Sequence, residues 1–122
     1  GNANAATTNT IVVDTTAPTI DTFDVTDRSG AILWFWFEQY DTAWSASDPY
    51  LSTTTVYVNR SGSTVATYSG SSGSETDSQF GAPQTTYTIK VVAVDEAGNR
   101  ACRVVTDDSD GTDPTDSQYG AC

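Results

Sequence analysis

The sequence predicts an all-β domain, an antiparallel sandwich of seven or eight short strands. Three observations carry that expectation. Apolar residues recur with period 2 and nowhere with the 3.6 period of a helix. Turn-forming residues interrupt the chain about every ten positions. Ser, Thr and Gly are abundant, whereas Met and His are absent. At 122 residues the chain has the length of one domain, enough for one core and not for two.

The elements follow in order. Residues 1–9 (GNANAATTN) read as a small, polar leader, and residues 10–14 (TIVVD) as a short β-branched strand closed by the Ala17-Pro18 turn. Residues 19–26 alternate irregularly through Ile20, Phe23 and Val25, as a strand with a bulge would. Residues 31–40 are the most apolar stretch. As one strand they place Leu33, Phe35 and Phe37 on one face and Ile32, Trp34 and Trp36 on the other. One face is expected in the core. The other is covered within the domain, by a neighbouring subunit or by the amino-terminal strand, or else presents Trp34 and Trp36 as a stacking platform for sugar rings. Trp44 reads as a core residue and Asp48-Pro49 as a turn. Residues 53–59 and 64–69 flank Arg60-Ser61-Gly62-Ser63 as a hairpin, and residues 70–78 read as a Ser/Gly-rich loop. Residues 85–95 set Tyr87, Ile89, Val91 and Ala93 on one face. Gly98 and Asn99 then supply residues suited to positive φ, and residues 101–106 return as the last strand. No helix longer than a turn is expected.

Tyr87, opening the penultimate strand, and the run V-x-A-x-D-x-A-G-N from Val91 to Asn99 resemble fibronectin type III and Ig-like modules of bacterial and archaeal extracellular proteins. Asp14-Thr15-Thr16-Ala17-Pro18-Thr19 is similar to the phrase at module boundaries of their tandem arrays, and Trp44-Ser45-Ala46-Ser47-Asp48 to their strand-and-loop motif. The resemblance covers roughly residues 14–107. It implies an antiparallel Ig-like (fibronectin type III-like) β-sandwich and says almost nothing about activity. It divides the chain into an extension over 1–18 with a strand at 10–14, a sandwich over 19–107, and an acidic tail over 108–122. In such arrays a strand ending V-D-T-T-A-P closes the preceding module. Here residues 103–106 already furnish a last strand, so residues 10–14 are one strand too many. That strand either pairs with the domain's own edge or adds to a neighbour's sheet, which repeated head to tail gives an open filament. A third reading is a piece cut from a longer multidomain chain.

Five basic residues stand against sixteen acidic ones, for a net charge of −11, and Lys90 is the only lysine. Such a surface repels nucleic acid and anionic membranes, which argues against both as partners. It also repels itself until salt screens it, so it reads as a protein of a high-salt habitat, and the surface proteins it resembles are haloarchaeal. No run of about 18 apolar residues is present to span a membrane, and no secretion leader is recognisable. Cys102 and Cys122 have no histidine or second cysteine pair beside them, which excludes a zinc site. They are expected to form one disulfide that closes a loop of about 20 residues and stabilises by roughly 3 kcal/mol; a link between subunits is the alternative.

Asp107, Asp108, Asp110, Asp113 and Asp116 cluster in residues 106–116 (TDDSDGTDPTD), which reads as a solvated acidic loop or, with Asp108, Asp110 and Asp113 as the candidate ligands, as a Ca²⁺ site. The EF-hand pattern is broken, because Thr106 takes its first ligand position and the terminal Glu is missing. Asp21, Asp24 and Asp27 form a looser acidic group. Asn59-Arg60-Ser61 is a sequon that offers Asn59 for glycosylation in an exported chain. No Ser-His or Cys-His pair can form, no phosphate-cradling loop is present, and Glu38 is the only acid next to an apolar surface. The sequence therefore points to a non-enzymatic structural subunit of an extracellular surface assembly or filament. Its expected contacts are Ile11, Val12, Val13, Trp34 and Trp36. The rivals are a carbohydrate- or surface-binding module built on Trp34 and Trp36, and a spacer domain of a larger secreted or virion protein.

Overall fold

Two antiparallel sheets form in the described residues, 15–80 and 85–122 of a computed structural model. Residues 10–14, expected from the sequence as a strand, lie outside that range. The first sheet contains β1 (Thr19–Asp27), β2 (Gly30–Ile32), β3 (Phe35–Ser47) and β6 (Ser72–Phe80). The second runs β5 (Ser63–Ser69), β4 (Leu51–Arg60), β7 (Thr86–Asp95), β8 (Arg100–Asp108) and β9 (Tyr119–Ala121). β3 is the spine of the first sheet. Trp44 pairs with Phe23 on one edge and Gly73 on the other, and Phe37 with Gly30 and Phe80 in the same way. β1 and β2 therefore lie end to end along one edge of β3, with β6 along the other.

Alternation builds the core between the sheets. Phe23 and Val25 of β1, Tyr40 and Trp44 of β3, Val56 and Val58 of β4, Tyr87, Ile89 and Val91 of β7, and Val105 of β8 are buried together. The faces expected of residues 87–93, the burial of Trp44, the bulge in β1 between Ile20 and Thr22, and the β4–β5 hairpin all appear. Ser61 and Gly62 form that hairpin's two-residue turn with φ of 50° and 86°, as a turn matching strand twist requires. Asp95 shapes the β7–β8 turn. Its Oδ1 accepts N–H bonds from Ala97 (3.0 Å) and Asn99 (2.8 Å), and Gly98 takes φ 90°. Asn99 contributes its side-chain amide, donated to Asp95 Oδ2 at 2.9 Å, rather than a left-handed backbone.

Two expectations are overturned. Residues 31–40 are not one strand, because the chain reverses at Leu33-Trp34 and Ile32 pairs with Phe35. No Gly, Asn or Pro marks the reversal; Leu33 itself adopts φ 57°, which costs an L-residue about 1–2 kcal/mol. Neither predicted face enters the core as a unit. The inward-facing set on β3 is instead Glu38, Tyr40, Thr42, Trp44 and Ala46. Residues 70–78 are not a loop, since Ser72–Phe80 is a full strand paired along β3. Its side chains are mostly exposed, so no apolar alternation betrays it; backbone ladder bonds to β3 hold it. Gly73 is needed there. A Cβ at that position would lie 2.6 Å from the Trp44 indole.

The tail after β8 crosses back over the molecule. A 3₁₀ turn (Asp116–Gln118) leads into β9, which pairs with β8 through Val105↔Tyr119 and Arg103↔Ala121. The Cys102–Cys122 disulfide closes it, with Cα atoms 5.5 Å apart. Tyr119 stands edge-on to Phe23 at 5.8 Å, and its hydroxyl accepts the Val25 N–H at 2.9 Å, tying the tail to the first sheet.

The topology gives the sandwich two distinct poles. At one pole lie the β3–β4 turn, the β7–β8 turn and Thr16, whose carbonyl accepts from Asn99 Nδ2 at 3.5 Å. The returning tail brings Cys122 to this half as well. At the other pole lie the β2–β3 turn, the β4–β5 turn and the end of β8. β3 alone spans roughly 40 Å between them at about 3.3 Å per residue.

Candidate functional site

The second pole carries an apolar tip. Leu33 is 80% exposed, Trp34 83%, Phe35 56%, and Phe80 at the adjoining end of β6 78%. Trp34 and Phe35 lie against each other with ring centroids 5.7 Å apart and planes tilted by 37°. The tip is braced from beneath. Trp36 Nε1 donates to the Ser109 carbonyl at 3.1 Å, fixing the hairpin to the segment after β8. Trp36 is half-buried, and the reversal at Leu33-Trp34 takes Trp34 and Trp36 off the single strand face expected from the sequence. From Gly30 to Phe37 the segment carries no charge, on a chain of net charge −11.

Behind the tip, two buried polar groups link the sheets. Glu38 is fully buried, accepts from Arg60 Nε at 2.6 Å and Thr85 N–H at 3.2 Å, and takes hydroxyl bonds from Thr85 and Ser109. Burial alone would raise its pKa, but the hydrogen bonds from Ser109, Thr85 and Arg60 outweigh it and leave the carboxyl below its ordinary value. Sequence reading singled out Glu38 for its apolar neighbour; the structure makes it the acceptor centre of a structural network.

Carboxylate oxygens of Asp27, Asp107 and Asp110 lie within 4.8 Å of one another. Asp27 and Asp107 are buried. Asp27 accepts N–H bonds from Ser29 (2.9 Å) and Gly111 (3.0 Å); Asp107 accepts from Tyr40 (2.8 Å) and Gln118 (3.0 Å). Burial pushes the Asp107 carboxyl up to about 6, with Asp27 as the charged neighbour adding to the rise. Of the predicted ligands, Asp110 belongs to this group, and Asp113 joins through its Oδ1, which accepts the Asp27 N–H at 3.0 Å. Asp108 does not: it sits exposed on the opposite side of β8. Asp27 and Asp107 stand in separate acidic groups of the sequence, and the spacing of 80 residues between them is closed only by the sandwich. These oxygens are the ones that could hold a hard cation such as Ca²⁺. Gly111 lets the loop close over them: its φ is 86°, and a Cβ there would meet the Ser29 carbonyl at 2.7 Å.

Asn59, next to last in β4, is half-buried, with its Oδ1 accepting from Thr64 Oγ1 at 2.7 Å, while Ser61 of the sequon lies in the turn. Ile11, Val12 and Val13 lie outside the described residues. No helix of the described residues is long and apolar enough to cross a membrane. The chain matches no family model, no curated protein and no solved structure.

Proposed function

We propose that the chain is a non-enzymatic Ig-like module of an extracellular surface assembly, self-associating into a filament or array through residues 11–13 and its aromatic tip. The observation that carries this reading is the tip itself. Three large apolar side chains in one hairpin and a fourth beside it stand exposed, braced by Trp36, on an otherwise strongly acidic body. Exposed apolar groups gathered in this way mark an interaction surface.

The strand order supports the module reading. With β2 and β9 set aside, β1, β3 and β6 stand as the first, second and fifth strands of an Ig sandwich. β4, β7 and β8 stand as its third, sixth and seventh, with the fourth strand, β5, moved onto the second sheet. The single disulfide fits an oxidising, extracellular setting, and the acid-rich, lysine-poor surface fits a high-salt one. The polysaccharide-binding rival would rest on Trp34 and its neighbour Phe35, with the Trp36 indole tied to the Ser109 carbonyl.

Sedimentation velocity in molar salt tests the proposal. The full chain should associate, and a chain beginning at Thr15 should remain folded and monomeric. A full chain that stays monomeric across concentration would refute the assembly function.

A further inference from the structure

We infer that assembly is head to tail, with residues 10–14 of one copy seated at the aromatic tip of the next. The inference deepens the assembly reading above and rests on it. Reach excludes the same pairing within one molecule. Thr16 is held at the β7–β8 turn by the Asn99 side chain, and an extended chain advances at most about 3.6 Å per residue. Ile11 to Val13 therefore travel no more than about 18 Å from Thr16, whereas their own tip lies roughly 40 Å away at the opposite pole. A second copy's tip has no such restriction.

Charge permits the same pairing. Two bodies of net charge −11 repel each other. Residues 10–13 (TIVV) and Gly30 to Phe37 are both uncharged and largely apolar, so bringing them together adds no like-charge contact. A donated strand adds main-chain ladder bonds that contact between two tips lacks. Among the described residues β2 pairs only with β3, which leaves its other edge, beside Leu33 and Trp34, as the place for such a strand. Because the two contact surfaces are different and Thr16 stands at the pole opposite the tip, each added copy leaves a fresh tip and a fresh amino-terminal segment, and the assembly does not close.

A two-chain complementation experiment tests this. One full-length chain carries Trp34→Ser and Phe35→Ser, so it keeps its amino-terminal segment and loses its tip. The other carries Val12→Asp and Val13→Asp, so it keeps its tip. Near-ultraviolet circular dichroism and melting temperature identical to wild type establish that both fold. Each chain alone should be monomeric in molar salt, and an equimolar mixture should form a 1:1 dimer, twice the 12.9 kDa chain mass, and nothing longer. Self-association of the tip-bearing chain alone would mean tip-to-tip contact and overturn the inference. Self-association of the segment-bearing chain alone would overturn it in favour of strand-to-strand contact. A monomeric mixture alongside an assembling wild type would overturn head-to-tail donation while leaving the assembly reading intact. A monomeric wild type would overturn both.

Discussion

Trp44 and Gly73 face each other across the β3–β6 ladder. The indole occupies the place of the missing side chain and donates its Nε1–H to the Gly70 carbonyl at 2.9 Å. Gly73→Val forces either the indole or β6 to move, and should cost about 1–3 kcal/mol; Trp44→Ala should cost about 3–5 kcal/mol. The tip should behave oppositely. Trp34→Ala removes a large ring that contributes little to the core, and Leu33→Gly relieves a left-handed backbone. Denaturant midpoints of both variants should match or exceed wild type. Asp107 sets a pH dependence with an unusual sign. Its folded pKa, about 6, lies above the ordinary carboxylate value, so the folded state binds the proton more tightly. Stability should therefore fall as pH rises from about 4 to about 6. Glu38, lowered in the folded state, adds the opposite limb and loses its contribution as pH falls through its folded value. Thermal melts should show greatest stability in the mildly acidic range, and Asp107→Asn should flatten the decline toward neutrality.

At the scale of elements, the tail and the hairpins differ in how they are secured. β9 has three ladder positions, one aromatic contact and a disulfide that closes a 20-residue separation. Replacing Cys122 by Ser should lower unfolding free energy by roughly 3 kcal/mol in the chain-entropy description, read from the urea midpoint. Those elements whose side chains alternate between oil and water were legible in the sequence: β7 from Tyr87 to Ala93, the β4–β5 hairpin from Ser61-Gly62, and the turn after Asp95. β6 was not, because an edge strand of Ser, Thr and Glu is held by backbone bonds that leave no compositional trace. The Leu33-Trp34 reversal was hidden for the opposite reason, since an unbroken apolar run gives no turn signal when strain takes the place of glycine. The carboxylate group of Asp27, Asp107 and Asp110 was half legible. Asp110 stood out in its acidic run, but only the meeting of the β1 and β8 ends assembles the set.

For the whole molecule, net charge and topology are the governing quantities. At low ionic strength, sixteen acidic residues on one small sandwich repel one another, and molar salt shortens the screening distance to about 3 Å. The melting temperature should rise from 0.1 M to 2 M NaCl; equal values would contradict adaptation to salt. The fold places Thr16 and Cys122 in one half and the aromatic tip at the far pole, so the molecule is polar along its strands, as a head-to-tail subunit requires. Electron microscopy of material assembled in molar salt tests that arrangement most directly. The proposed head-to-tail assembly predicts unbranched filaments one sandwich wide, with one subunit per roughly 40 Å of axis. Closed two-copy particles, or dispersed monomers under the same conditions, would contradict it.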